Sequence, residues 1–92
     1  MIAPRRPDLS ETVDVRTGLI RASGRLTVQG ADLLRGTADT LRDTGHRRVV
    51  LDLRDVREAD TAGLVILDRL EASFRADGDL LLITHLPEPA AS

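Results

Sequence analysis

Hydrophobic residues recur along this chain in two periods, and the period changes wherever turn residues stand. Ile20, Ala22, Gly24 and Leu26 alternate with Arg21, Ser23 and Arg25, the period of two expected of a strand with one covered and one wet face. A shorter alternation over Thr12–Arg16, with Val13 and Val15 on one face, precedes it, and Thr17-Gly18 between them reads as a hairpin turn. Past Thr27 the period becomes helical. Leu33, Leu34, Ala38 and Leu41 make the expected buried stripe of a helix that runs to about Thr44 and is closed by Gly45. Gly36 inside it costs about 1 kcal/mol relative to alanine, so this helix leans on packing. His46–Leu53 is the next strand. A second helix is predicted over Thr61–Ala76, closed by Gly78, with Ile66, Leu67, Leu70 and Phe74 as its core face. Leu80–Ile83 is a continuous apolar run, too short for a helix and suited to a strand covered on both sides, and Pro87 and Pro89 stop it.

The order is therefore β-β-α-β-α-β, an α/β fold with a mixed β-sheet and, if the strands add in sequence order, both helices packed on one face. Residues 1–10, with two prolines, read as a flexible leader, residues 11–86 as the one domain, and residues 87–92 as a short tail. A chain of 92 residues has room for a single core.

Composition narrows the functional classes. All 13 Lys-plus-Arg positions are arginine, so the chain has no lysine for Schiff-base chemistry or for a phosphate-binding loop. Phe74 is the only aromatic residue, which leaves no stacking platform for single-stranded nucleic acid, and the arginines are interleaved with acids rather than gathered into a basic face. No nucleic-acid partner is expected. There is no cysteine, hence no disulfide and no thiol chemistry. Arg5-Arg6 has no apolar run behind it, so no signal peptide and no membrane insertion are expected, and the reading is cytoplasmic.

Candidate chemistry is sparse. Asp52 sits near the end of an apolar strand, where receiver domains carry their phospho-accepting aspartate, but the acidic pair and the lysine that such domains require are missing. An aspartate on the wet side of a strand is the simpler reading. His46 and His85 are not spaced as a ligand set, and no metal, cofactor or catalytic residue is expected. The exception is Asp60-Thr61-Ala62-Gly63-Leu64 at the mouth of the second helix. Asp and Thr are ordinary helix caps, worth about 1 kcal/mol. Glycine in a first helical turn has no such use, and suggests a close approach by another backbone or by a partner. Leu64 and Val65 fall off the core stripe, so apolar side chains stand beside a modifiable hydroxyl.

Taken with Gly24-Arg25-Leu26, Val49–Leu53 and Asp55-Val56, this motif resembles the STAS domain of bacterial anti-sigma factor antagonists, in order and over roughly Thr12–Leu86. The family hallmark is Asp-Ser-x-Gly-Leu at the start of the second helix, its serine phosphorylated by an anti-sigma factor kinase. Thr61 takes the serine position here, a substitution the family uses. Three features differ. Thr27 follows Gly24-Arg25-Leu26 where an Asp is usual, Arg57-Glu58-Ala59 replaces apolar residues, and fewer residues follow the last strand than in typical members.

The resemblance implies a phosphorylation-switched binding protein rather than an enzyme, an anti-sigma factor antagonist whose partner is an anti-sigma factor kinase. The implied phosphorylation site is Thr61. The implied partner-binding residues are Thr27, Val28, Asp60, Thr61, Gly63, Leu64 and Val65. A second reading within the same family is the STAS accessory subunit of a bacterial ABC lipid transporter, in which the threonine contacts the ATPase subunit without modification. With strands added in order, the Leu80–Ile83 strand would be a free apolar edge, so a homodimer is also expected.

Overall fold

The computed structural model describes residues 9–87. The elements run β1 (Leu9–Asp14), β2 (Leu19–Leu26), α1 (Val28–Asp43), β3 (Arg48–Ala59), α2 (Thr61–Ala76) and β4 (Leu80–Thr84). They form one sheet of order β1-β2-β3-β4, with β1 antiparallel to β2 and the other two pairings parallel. Alternate strand residues (Ile20, Ala22, Leu26, Val49, Leu51, Leu81) share one core with Ala31, Leu34, Ala38 and Leu41 of α1 and Leu67, Leu70 and Phe74 of α2. A single core fed by both helices means that both lie on one face of the sheet. The other face has no cover among the described residues. The expected α/β mixed sheet with helices on one face is what this chain forms.

The turn between β1 and β2 depends on Gly18. Its φ of +74° is left-handed, and a Cβ there would stand 2.8 Å from the Arg48 carbonyl oxygen. That closeness joins the hairpin to the third strand, since the Val50 N–H donates to the Gly18 carbonyl at 2.9 Å. At the far end of α1, Arg42 lies 4.4 Å over the Phe74 ring and pairs with Asp39 and Asp77, tying the two helices together.

Several expectations are corrected. Strand β1 begins at Leu9, inside the stretch read as leader, because Leu9 is buried against the core. It ends at Asp14, so Val15 lies in the turn and is 66% exposed rather than sharing a face with Val13. Leu33 is exposed, one position off the α1 stripe, and Ile66 only flanks the core. Strand β4 is covered on one side only: Leu81 is buried, while Leu80 and Leu82 look out of the open face. The remainder of the leader, residues 1–8, and the tail beyond Pro87 lie outside the described residues.

The largest correction concerns β3, which continues past Leu53, its expected end, to Ala59. Its pairing with β2 slips twice: Arg21 faces Asp52 but Ser23 faces Asp55, and Gly24 faces Val56 but Arg25 faces Glu58. Each slip puts one extra residue into β3, which is the definition of a bulge. The inward positions therefore become Leu53, Val56 and Ala59, three apart instead of two. Asp52 holds the first bulge, its carboxylate accepting the Arg54 N–H at 3.0 Å and lying 3.0 Å from Nδ1 of His85.

Candidate functional site

Strands β2 and β3 are parallel neighbours, so their C-terminal ends, and the loops that follow, lie at the same end of the sheet. This places Thr27, the residue after β2, beside Asp60, the residue after β3. The Asp60 N–H donates to the Leu26 carbonyl at 2.8 Å, which joins the two loops directly. Gly63 completes the junction. A Cβ on it would stand 3.0 Å from the Thr27 carbonyl oxygen and 3.2 Å from that of Leu26, so α2 can start this close to the first loop only with glycine there.

The close backbone approach inferred from Gly63 thus comes from within the chain. Gly63 is buried, and its part is to set the spacing between the two loops. Leu64 is likewise half-buried and packs on the core, which corrects its assignment to a surface off the core face. Val65 is 44% exposed and Val28 is 43% exposed. Asp60 and Thr61 are exposed, and Thr27 is half-buried. The structure therefore brings together Thr27, Val28, Asp60, Thr61 and Val65 as a surface, with Gly63 and Leu64 beneath it.

The two helix starts in this surface differ. Thr27 caps α1, its Oγ1 accepting the Gly30 N–H at 3.1 Å while its carbonyl accepts the Ala31 N–H at 2.8 Å. Asp60 precedes α2 with extended backbone (φ −74°, ψ 142°), but its side chain makes no capping bond. Its carbonyl accepts the Leu64 N–H at 3.0 Å. Among the described residues, no acceptor of this chain reaches the N–H groups of Thr61, Ala62 or Gly63. The first turn of α2 thus keeps unpaired donors and the positive end of the helix dipole, with the Thr61 hydroxyl exposed at its rim.

Thr61 lies outside the well-formed hollows given by the described residues. A hollow of about 880 Å³ lies over the bulged part of β2 and β3, between Ser23, Arg25, Arg54 and Arg57, and Thr61 does not line it.

Asp52 stands apart from this surface, on the open face of the sheet. The Arg54 N–H holds its carboxyl below the usual carboxylate range, against the opposing effect of burial, and His85 adds to the lowering. Its work is to brace a bulge and the end of β4, as the simpler reading of its position holds. His46 is also structural, with Nδ1 3.1 Å from the Leu41 carbonyl at the end of α1.

No helix among the described residues is long and apolar enough to cross a membrane. Residues 10–92 match the protein family described as Mlab, STAS domain. No curated protein matches the chain.

Proposed function

The chain belongs to that STAS family, and we propose that it is a phosphorylation-switched protein-binding regulator, an anti-sigma factor antagonist that docks its partner through the rim of α2. The observation that carries this reading is the exposed Thr61 hydroxyl on a helix start whose donors are unused, flanked by Val28 and Val65. In the unmodified state a partner lays an apolar and neutral polar surface over the rim. The free N–H groups and the hydroxyl then find acceptors in that partner, which replaces water without leaving polar groups unpaired. Phosphorylation of Thr61 adds about −1.5 to −2 charges and three acceptor oxygens. Those oxygens are well placed to satisfy the donors of the first turn, so the modified chain keeps its fold. A partner shaped for a neutral hydroxyl is repelled by charge and by the cost of desolvating it. The switch needs no movement of the backbone.

A second reading, the STAS accessory subunit of a bacterial ABC lipid transporter, uses the same surface without modification. It stays in play because the matched family is described as Mlab, STAS domain, and not by an anti-sigma role. The two readings part on covalent chemistry. Phosphopeptide mapping of the chain, after incubation with the histidine-kinase-like ATPase encoded nearest to it and ATP, is expected to place phosphate on Thr61 and to find none on T61A. Modification at Ser73 or Ser10 overturns the assignment. Capture of a transporter ATPase by the unmodified chain, lost in Val65→Arg, supports the second reading. Val65 serves this purpose better than Leu64, because arginine at half-buried Leu64 would also disturb the core.

A further inference from the structure

We propose that the outer edge of β4 is a self-association surface, and that it takes β4 of a second copy of this chain, antiparallel, in a two-fold register centred on Leu82. The inference is independent of whether Thr61 is modified.

The backbone sets which groups face outward. The Leu80 N–H donates to the Arg47 carbonyl at 2.8 Å, so Leu80 turns its peptide groups toward β3. Groups alternate along a strand, and Leu82 and Thr84 do the same, while those of Leu81 and Ile83 point away from the sheet. Among the described residues no strand pairs with that side. The edge also lacks the usual guards. β4 reads Leu-Leu-Leu-Ile-Thr, with no charge, proline or bulge in its five residues, whereas the opposite edge, β1, carries Glu11 and Asp14.

The same alternation selects the register. In an antiparallel ladder the two residues of a hydrogen-bonded pair each turn their peptide groups to the other. Centring the axis on Leu82 sets Leu81 opposite Ile83 of the second copy, and Ile83 opposite its Leu81. All the outward groups of β4 are then paired, and the whole strand overlaps. Leu82 meets its own counterpart in the closer, non-hydrogen-bonded position. Leu82 is 40% and Leu80 51% exposed on the open face, and that face continues across the neighbouring strands through Val50 and Leu19, which stand in register with Leu82. The pairing therefore covers apolar surface as well as backbone.

Charge chooses the direction. Asp79 lies before β4 and His85 follows it, while Asp77 is already paired with Arg42. Antiparallel pairing sets Asp79 of one copy opposite His85 of the other, whose Nδ1 lies 3.0 Å from its own Asp52, where a parallel pairing would set Asp79 beside Asp79. The result is an eight-stranded sheet with all four helices on one face. Because β2 and β3 of the two copies then run in opposite directions, their Thr61 surfaces lie at opposite ends of the assembly. Both remain open, and the dimer is bivalent for its partner.

The chain has no cysteine, so single-cysteine variants report the register without background. Multi-angle light scattering over a concentration series is expected to show mass rising from 10.0 kDa toward twice that value. Leu82→Cys should cross-link on mild oxidation into a dimer, several-fold faster than Leu80→Cys, whose counterpart across the axis is Thr84. Leu82→Lys and Leu82→Glu should each be monomeric, and their equimolar mixture dimeric, because only a residue on the axis faces itself. Both substitutions fall on an exposed position, and circular dichroism is expected to be unchanged. A wild-type chain monomeric at every concentration, or Leu80→Cys cross-linking as fast as Leu82→Cys, overturns the proposal.

Discussion

The two helices begin side by side at one end of the sheet, yet their first turns are built in opposite ways. Helix α1 is capped by its own chain: the Thr27 hydroxyl accepts the Gly30 N–H, and Val28 and Gln29 are the exposed residues of that turn. Helix α2 is left open. Asp60 declines the capping bond, and Thr61 stands exposed at a start whose first donors have no partner among the described residues. The glycines of the two helices are reversed in the same sense. Gly36 of α1 has no atom within 4 Å of the Cβ it lacks, whereas Gly63 of α2 is pressed to 3.0 Å from the Thr27 carbonyl. One helix start serves the fold alone. The other is placed by a tight backbone contact and leaves its side-chain cap unmade, the feature on which the proposed docking role rests.

The largest expected effect comes from separating the two starts. Gly63→Val forces a branched side chain against the carbonyls of Leu26 and Thr27, and overpacking of this kind costs about 1–3 kcal/mol. It also moves Thr61 relative to Val28, so partner binding should fall by more than the loss of folded protein explains. Gly36→Ala is the counterpart, in the same residue type and in open space, and should stabilise by up to about 1 kcal/mol. Urea unfolding of both variants checks the sign. Equal effects would mean that Gly63 is tolerated rather than required.

The next effect tests the closed start. Thr27→Ala removes the one side-chain cap of the pair and should cost about 1 kcal/mol, read as a lower urea midpoint with an unchanged slope. Thr27 occupies a position where the related motif has an aspartate in a partner-facing loop. The hydroxyl seen here faces its own helix instead, so the loss should appear in stability more than in binding.

Much of this arrangement was legible in the chain itself, for reasons that can be named. Strand β2 shows a clean period of two because one face is wet, and α2 shows a clean helical stripe because Phe74, Leu70 and Leu67 fill one side. Gly63 announced a close backbone approach, and only the identity of that backbone, the Leu26–Thr27 loop, needed coordinates. The second half of β3 was hidden by its bulges, which spread Leu53, Val56 and Ala59 three apart and so break the alternation by which strands are read. Four consecutive apolar residues in β4 could not tell an edge strand from a covered one, since periodicity is silent where every position is apolar. Nor does any sequence rule say that Asp60, a residue with strong capping preference, leaves its cap unmade.

That unmade cap carries the smallest and most discriminating prediction. A serine, threonine or aspartate that caps its helix costs about 0.5–2 kcal/mol when replaced by alanine. Asp60 makes no such bond, so Asp60→Ala should lose only the attraction between its carboxylate and the helix dipole, about 0.3–1 kcal/mol and screened by salt. The comparison with Thr27→Ala is then a direct measure of how the two starts differ. In 1 M salt the Asp60 effect should vanish, since the Debye length falls to about 3 Å, while the Thr27 effect persists because it rests on a neutral hydrogen bond. Partner binding should respond in the reverse order, with Asp60→Ala and Thr61→Ala weakening it more than Thr27→Ala does. A full capping loss at Asp60 that survives high salt would show that α2 closes itself in solution, and the site would then have no unsatisfied donors to offer.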